Sequence, residues 1–284
     1  MSKIRFMSQN QWSCTQNNET WEKLGLDCSA KVRMKGHTQV LADLLPDIMG
    51  GQEVNAEMLR FLKFYSTDAG LDYTVIWGNG TPILYRADKF DLLDSEYLSY
   101  PEHVEGYEGC FNNSLSKSCL LGVFRDKSDG KVFIFATTHL WWKNGTNPSL
   151  SWYQKGSDEV RVMQIQLADE MIRKYQAKYD NCPIIFVGDM NASYRAPAIR
   201  WALDEGGYSH AHDVATDFAD ETSGYNGCGP NAPGKWREGG FETAIDHILV
   251  KDISEGAVKR FERYSPDFYL YLSDHSAIIA DIEL

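Results

Sequence analysis

The chain has 284 residues, 43% of them hydrophobic and 24% charged, a globular composition long enough for one large domain or two ordinary ones. Its formal net charge of −12 and pI of about 5.0 argue against a binder of duplex DNA, which needs a basic face to neutralise phosphates. No apolar run approaches the roughly 20 residues that cross a bilayer, and the opening "MSKIRFMSQNQW" has no apolar signal-peptide core, so the chain is expected in the cytoplasm unless a leader has been removed.

In chain order, "KIRFMSQN" reads as a first strand, and "HTQVLADLL" as a helix with Val40, Leu41, Leu44 and Leu45 on one face. "PDIMGGQEV" reads as a short strand ending at Glu53, and Asn55 can cap a helix that buries Met58, Leu62 and Tyr65. From 72 to 139, short apolar clusters broken by Gly, Pro, Asp and Ser read as consecutive strands. Ser157 can cap a long helix with Val160, Met163, Leu167, Met171 and Tyr175 on one stripe. "PIIFVGD" follows as a strand, Pro197 suits a first helical turn, and Gly206-Gly207 ends that helix. "AIDHILV" and "HSAIIADIEL" close the chain as strands. No repeat, low-complexity tract or linker interrupts it, so one α/β domain over 1–284, packed sheets under outer helices, is the expected architecture. The six cysteines (Cys14, Cys28, Cys110, Cys119, Cys182, Cys228) show no CxxC pair, which argues against structural zinc and for free thiols.

Polar groups recur where these strands begin or end. Asn10 ends the first strand, Glu53 the second, His139 ends "KVFIFATTHL", and Asp189 and Asn191 end "PIIFVGDMN". Asp246 and His247 open "AIDHILV", and Asp274 and His275 precede the last strand. A turn explains one such ending, since Gly, Asp and Asn are turn formers; it explains the whole series poorly. If the strands share a sheet stack, these groups converge on one rim.

The series "SQN", "GQEV", "TTHL", "GDMN", "IDHI", "SDH" resembles, in order, the motifs of the endonuclease/exonuclease/phosphatase superfamily, over residues 8–275. The resemblance implies a DNase I-like fold, a four-layer α/β sandwich of two packed mixed β-sheets flanked by helices. It also implies cleavage of phosphate esters with Mg2+ or Mn2+. "EVRVMQIQLADEMI" is similar to the deadenylase-related branch. Carried onto this chain, the resemblance makes Glu53 the metal ligand, with Asn10 in the same metal neighbourhood by hydrogen bonding and Asp274 a second metal contact. Asp189 would orient or deprotonate the attacking water, and Asn191 would hold the phosphate or that water. His275 would contact the scissile phosphate with Asp246 fixing its tautomer, and His139 would donate to a phosphate oxygen or the leaving group. A hard cation suits this chemistry, because it offsets the charge that repels an attacking hydroxide. His247 sits beside Asp246 and, on a strand, faces the other way; it reads as a packing or hydrogen-bonding residue.

Substrate choice belongs to the loops. Residues 141–156 hold Trp141, Trp142, Trp152 and Tyr153, able to stack a base or sugar face, with Trp141 the first candidate. Residues 223–240 offer Lys235, Trp236 and Arg237 as a phosphate clamp, and 78–86 borders the cleft by family analogy. The expected partner is a phosphorylated small molecule or a single-stranded oligonucleotide rather than duplex DNA. A competing reading is a catalytically silent binding module that kept the fold, which the completeness of the motif set disfavours. A zinc hydrolase would need grouped ligands such as HExxH, and the seven histidines show no such spacing.

Overall fold

A computed structural model describes residues 3–15, 18–23, 25–217, 243–264 and 272–284. Two six-stranded sheets face each other. The first contains β1 (Lys3–Asn10), β2 (Ile48–Gln52), β3 (Thr74–Ile76), β4 (Ile83–Tyr85), β11 (Val258–Tyr264) and β12 (Ala277–Glu283), in the order β11-β12-β1-β2-β4-β3. The second contains β5 (Phe90–Ser99), β6 (Ser118–Asp126), β7 (Val132–His139), β8 (Ile184–Asp189), β9 (Ser209–His210) and β10 (Asp246–Lys251), in the order β5-β6-β7-β8-β10-β9. Each sheet is mixed: β1 and β2 run parallel, as do β7 and β8, and the other pairs are antiparallel.

Helices cover both outer faces. Helices α2 (Ala30–Leu44) and α3 (Ala56–Asp68) pack on the first sheet around Met7, Met49, Leu84 and Ile279, and α4 (Ser157–Lys178) and α5 (Pro197–Asp204) on the second around Ile134, Ala136, Ile184 and Phe186. Short helices α1 (Asn18–Lys23) and α6 (Ala211–Val214) and a 3-10 turn at Asn113–Leu115 complete the described set. The central strands therefore bury both faces, which is why "PIIFV" reads as a continuous apolar run rather than an alternating one. No described helix is long and apolar enough to cross a membrane.

Between the sheets lies a third cluster: Phe6 stacks on Phe135 with centroids 5.7 Å apart, and Ile48, Phe133, Ile185, Val187, Ile248 and Ile278 fill the rest. Each fully buried side chain of this kind contributes about 1.5–3 kcal/mol. The period-2 alternation of a strand then fixes which later residues share that inner face. Following Phe6 on β1 leads to Asn10; Ile48 on β2 leads to Gln52; Phe133 and Phe135 on β7 lead to Thr137 and His139; Ile185 and Val187 on β8 lead to Asp189; Ile248 on β10 leads back to Asp246. The inter-sheet layer is thus apolar along most of its length and polar at one end. There, hydrogen bonds cross between the sheets: Gln52 Nε2 donates to Thr137 Oγ1 at 2.9 Å, Asn10 Nδ2 to Asp189 Oδ2 at 2.9 Å, and the Thr81 and Ser118 hydroxyls meet at 2.9 Å.

Several local details depart from expectation. Helix α4 starts at Ser157 itself, after Gly156 at φ 87°, and the Ser157 hydroxyl donates to the Gln154 carbonyl instead of capping. Leu45 leaves the α2 face as a left-handed C-cap and is exposed, as is Met163 on α4. Strand β11 and the two-residue β9 lie in stretches not read as strands. The described cysteines Cys14, Cys28, Cys110, Cys119 and Cys182 form no disulfide.

Candidate active site

The strand ends are level because the register makes them so. On the second sheet, His139 lies opposite Asp189 and Asp189 opposite Asp246, so three titratable groups stand side by side. Gly188 makes this possible: at φ +149° a Cβ there would sit 2.1 Å from the Thr138 carbonyl oxygen, so β7 and β8 come this close only because the residue before Asp189 has no side chain. Asn191, at φ 47°, turns the chain back. Its backbone N–H donates to Asp189 Oδ1 at 2.9 Å, and its side-chain Nδ2 to the Leu140 carbonyl at 3.0 Å.

Adjacent carboxylates on neighbouring strands repel. His275, from the turn before β12, relieves this for Asp189 and Asp246. Its Nδ1 lies 2.8 Å from Asp246 Oδ2 and its Nε2 3.9 Å from Asp189 Oδ2. Burial would discharge the imidazole, but Asp246, Asp189 and Asp274 outweigh it and hold the His275 pKa well above its ordinary value. The ring is accordingly a cation, with Nδ1–H donated to Asp246 and Nε2–H facing Asp189.

The first sheet contributes Asn10 and Glu53. Asn10 Oδ1 accepts from the Trp12 N–H at 2.9 Å, which leaves its amide nitrogen turned to Asp189 and, at 3.4 Å, to Glu53 Oε1. Asn10 therefore presents a donor to the site and orients carboxylates; its oxygen is already engaged. Glu53 follows β2 with φ 59°, and its Oε2 accepts the Ser13 N–H at 3.1 Å. Its Oε1 lies 4.0 Å from His139 Nε2.

Lys117 was not singled out in the sequence, where "LSKSCLL" carries no motif. The residue just before β6 is buried, and its ammonium meets His139 Nε2 at 2.5 Å. The only signal for it was a lysine at the start of an apolar strand that pairs with the strand ending in His139. Burial lowers Lys117 to about 8 despite the pull of Glu53 and Asp189. Burial, then Lys117, drive His139 to about 4, so this imidazole is neutral. Burial alone would raise both carboxyls, yet His139 and Lys117 around Glu53, and His275, His139 and Lys117 around Asp189, hold them below the usual range. Asp274 is different. Its side chain is 40% exposed, its Oδ1 lies 3.9 Å from His275 Nε2, and partial burial, with Glu53 adding and His275 opposing, moves its carboxyl up to about 6.

Of these groups, Glu53, Lys117, His139, Asp189, Asn191 and His275 floor a cavity of about 830 Å3. Its walls are largely uncharged: Ser13, Thr15, Asn55, Trp77, Asn79, Asn113, Ser114, Ser116 and Trp142. Trp141, the expected stacking residue, does not line this cavity. Its ring is buried with Val104, Phe111 and Val160, 5.9 Å from the Phe111 centroid, because the residue straight after Leu140 turns under the loop. Trp142, 43% exposed, faces the cavity instead. Lys235 and Arg237 lie outside the described residues.

His247 faces away from Asp246, into the layer under α5 and α6. Its Nε2 donates to the Ala192 carbonyl at 2.7 Å, so its Nδ1 is the acceptor for His210 Nε2 at 2.9 Å, and His210 Nδ1 accepts the His212 N–H at 3.1 Å. Both rings are neutral in this chain, and burial lowers both pKa values, His247 to about 4. The arrangement braces Ala192, next to Asn191.

Two groupings could be considered for a cation. Among the described residues, Asp189, Asp246 and His275 offer ligand atoms within 4.8 Å of one another. In that grouping the imidazole is already a cation bonded to Asp246, and a protonated imidazole ligates no metal. Glu53 fits better: it is ionised, part-exposed at the cavity floor and its Oε1 has only long contacts, to Asn10 and His139, which suits a hard cation that takes few protein oxygens and keeps its waters.

Comparison with known proteins agrees with this fold. A sequence profile described as the endonuclease/exonuclease/phosphatase family matches residues 28–275. A family protein of that description from Bacteroides thetaiotaomicron superposes with a TM-score of 0.72 at 20% identity, covering 99% of this chain and 95% of the other. A structure described as a mannosyl-6-phosphatase of Bacteroides thetaiotaomicron gives 0.73 at 20% identity over 99% and 100% of the two chains. The human Nocturnin catalytic domain gives 0.61 at 15% identity over 99% and 94%. Comparison with curated protein sequences returned no match.

Proposed function

The chain belongs to the endonuclease/exonuclease/phosphatase family, and from that premise we propose that it hydrolyses phosphate esters of a small phosphorylated compound with Mg2+ or Mn2+. The observation that carries the reading is the meeting of Glu53, Asp189, His139, His275 and Lys117, from five segments and both sheets, on the floor of one cavity. Glu53 would hold the cation, with Asp274 as a further oxygen donor, and the bound ion would neutralise charge on the ester and its leaving oxygen.

The remaining roles follow from protonation states. Asp189, ionised and fixed by Asn10 and the Asn191 N–H, accepts the proton of an attacking water. His275, held cationic by Asp246, donates Nε2–H to a phosphate oxygen. Lys117 supplies a second positive charge at the floor, and neutral His139 steers it. His247 and His210 brace the turn that carries Asn191.

The walls favour a substrate with its charge at one end. Among the described lining residues the cations are Lys117 and His275, both at the floor, whereas a nucleic-acid strand needs a basic track. Hydroxyl and amide side chains with two tryptophans match a sugar-like body, in keeping with the neighbour described as a mannosyl-6-phosphatase. The test is a panel of bis-p-nitrophenyl phosphate, sugar and inositol phosphates and short single strands, run with Mg2+, Mn2+ or EDTA. Metal-dependent turnover lost in Asp189→Ala supports the reading. Wild-type protein that neither turns over any substrate nor binds metal overturns it in favour of a silent module.

A further inference from the structure

Beside the cavity mouth, the outer side of α3 departs from what a surface helix should show. Such a face is ordinarily polar, yet Phe64 is 64% exposed, and with Leu59, Val75 and Trp77 it forms an apolar groove between α3 and β3. Arg60 and Lys63 border it, with Asp68 as the one acidic residue of the lining, so the groove carries a net positive charge on a chain whose net charge is −12. The groove is continuous with the phosphate site, because Trp77 and Ala56 line both. Trp77 is the shared wall, 44% exposed, so a ligand held at the floor that passes its ring enters the groove directly.

We propose that this groove is a second subsite of the same cleft, taking an apolar arm, alkyl or aryl, of a substrate whose phosphate sits on the floor. The inference rests on the phosphoesterase reading and narrows it: the substrate is a phosphorylated amphiphile rather than a uniformly polar compound. Continuity with the phosphate site argues for an arm of the substrate over a second copy of the chain. The cations fit as well, since Arg60 and Lys63 attract an anionic ligand toward the mouth while their methylene stems extend the apolar lining.

The experiment uses a homologous series of n-alkyl phosphates from ethyl to decyl, each kept below its micelle concentration. Affinity is measured by calorimetry in EDTA, and turnover is measured separately with Mg2+ or Mn2+. A fully buried methylene would raise affinity roughly fourfold, so a groove open on one side should give about twofold per methylene until its length is filled. Phe64→Ser, a change at an exposed site, should flatten that slope and weaken decyl phosphate roughly tenfold. Val32→Ser, at an exposed position of α2 that does not line the groove, should leave the slope intact. Affinity independent of chain length overturns the proposal, as does a slope that survives Phe64→Ser. A chain-length effect seen only with added phosphatidylcholine vesicles also overturns it, pointing to a membrane surface. So does a dimer in sedimentation that Phe64→Ser dissolves. Chain-length-dependent binding without hydrolysis stands for the groove and against the phosphoesterase reading; hydrolysis without chain-length dependence does the reverse.

Discussion

Acidification should destabilise this protein through its buried neutral histidines before most of its carboxylates are protonated. His247 titrates near 4 in the folded chain because burial penalises its cation, although the Ala192 carbonyl and Asp189 act in the other direction. His37, on the buried side of α2 with Gln9 Nε2 2.9 Å from its Nδ1, is driven to about 3 by burial and by Arg33. A histidine whose folded pKa is depressed contributes its full stability above the unfolded value near 6.5, and loses it as pH falls toward the folded value. Between pH 7 and pH 5 the unfolded chain takes up the proton and the folded one does not, which costs roughly 2 kcal/mol for each of these residues. His139, near 4, acts in the same sense. His275 and Asp274, both raised in the folded state, have the opposite sign and offset part of this loss. Against a typical total of about 5–15 kcal/mol, the net loss is large. Urea unfolding followed by tryptophan fluorescence at pH 7 and pH 5 measures it. His247→Gln removes one titrating ring, so the variant should be weaker at pH 7, having disturbed two buried hydrogen bonds, but should lose roughly 2 kcal/mol less than wild type on acidification. Equal losses in the two proteins would refute the assignment of a neutral, shared-proton imidazole chain.

Three further outcomes are expected. Lys117→Met should lower kcat on the best substrate by roughly a hundredfold, through loss of a charge at the floor, while thermal melting shows no comparable destabilisation because a buried cation has been removed. Asp246→Asn withdraws the carboxylate that contributes most to holding His275 cationic, so the alkaline limb of the kcat–pH profile should move to lower pH; an unmoved limb would separate His275 from that limb. Gly188→Ala should destabilise the fold by about 3 kcal/mol or more, since the new Cβ would lie 2.1 Å from a backbone oxygen, and any folded fraction should be inactive because His139 and Asp189 can no longer stand level.

How much of this was legible in the sequence depended on whether a residue's role was set by its own strand or by a distant one. Asn10, Glu53, Asp189, Asn191, Asp246 and His275 stand where strands begin or end, so order along the chain sufficed to propose that they meet, and the structure does bring them together. The opposite facing of His247 followed from period 2 alone. Lys117 was invisible because its importance comes from pairing β6 with β7, a long-range fact. The choice between Trp141 and Trp142 was likewise illegible: adjacent identical residues differ only in which side the loop turns, and α4 decides that by holding the Trp141 N–H on Gln164 at 2.8 Å. Strand β11, "VKRFERY", hid behind its charges, since an edge strand needs few apolar residues to pair.

The polar bonds that cross between the sheets have a mechanical consequence. An apolar interface strongly resists being pulled apart but has little directional preference, so two greasy sheets can shear past each other at small expense. Gln52 to Thr137, Asn10 to Asp189 and Thr81 to Ser118 convert one end of the sandwich from a sliding bearing into a latch. Glu53 and Asn10, carried by one sheet, hold their spacing to His139 and Asp189, carried by the other, because these directional bonds fix the register of the two sheets right beside them.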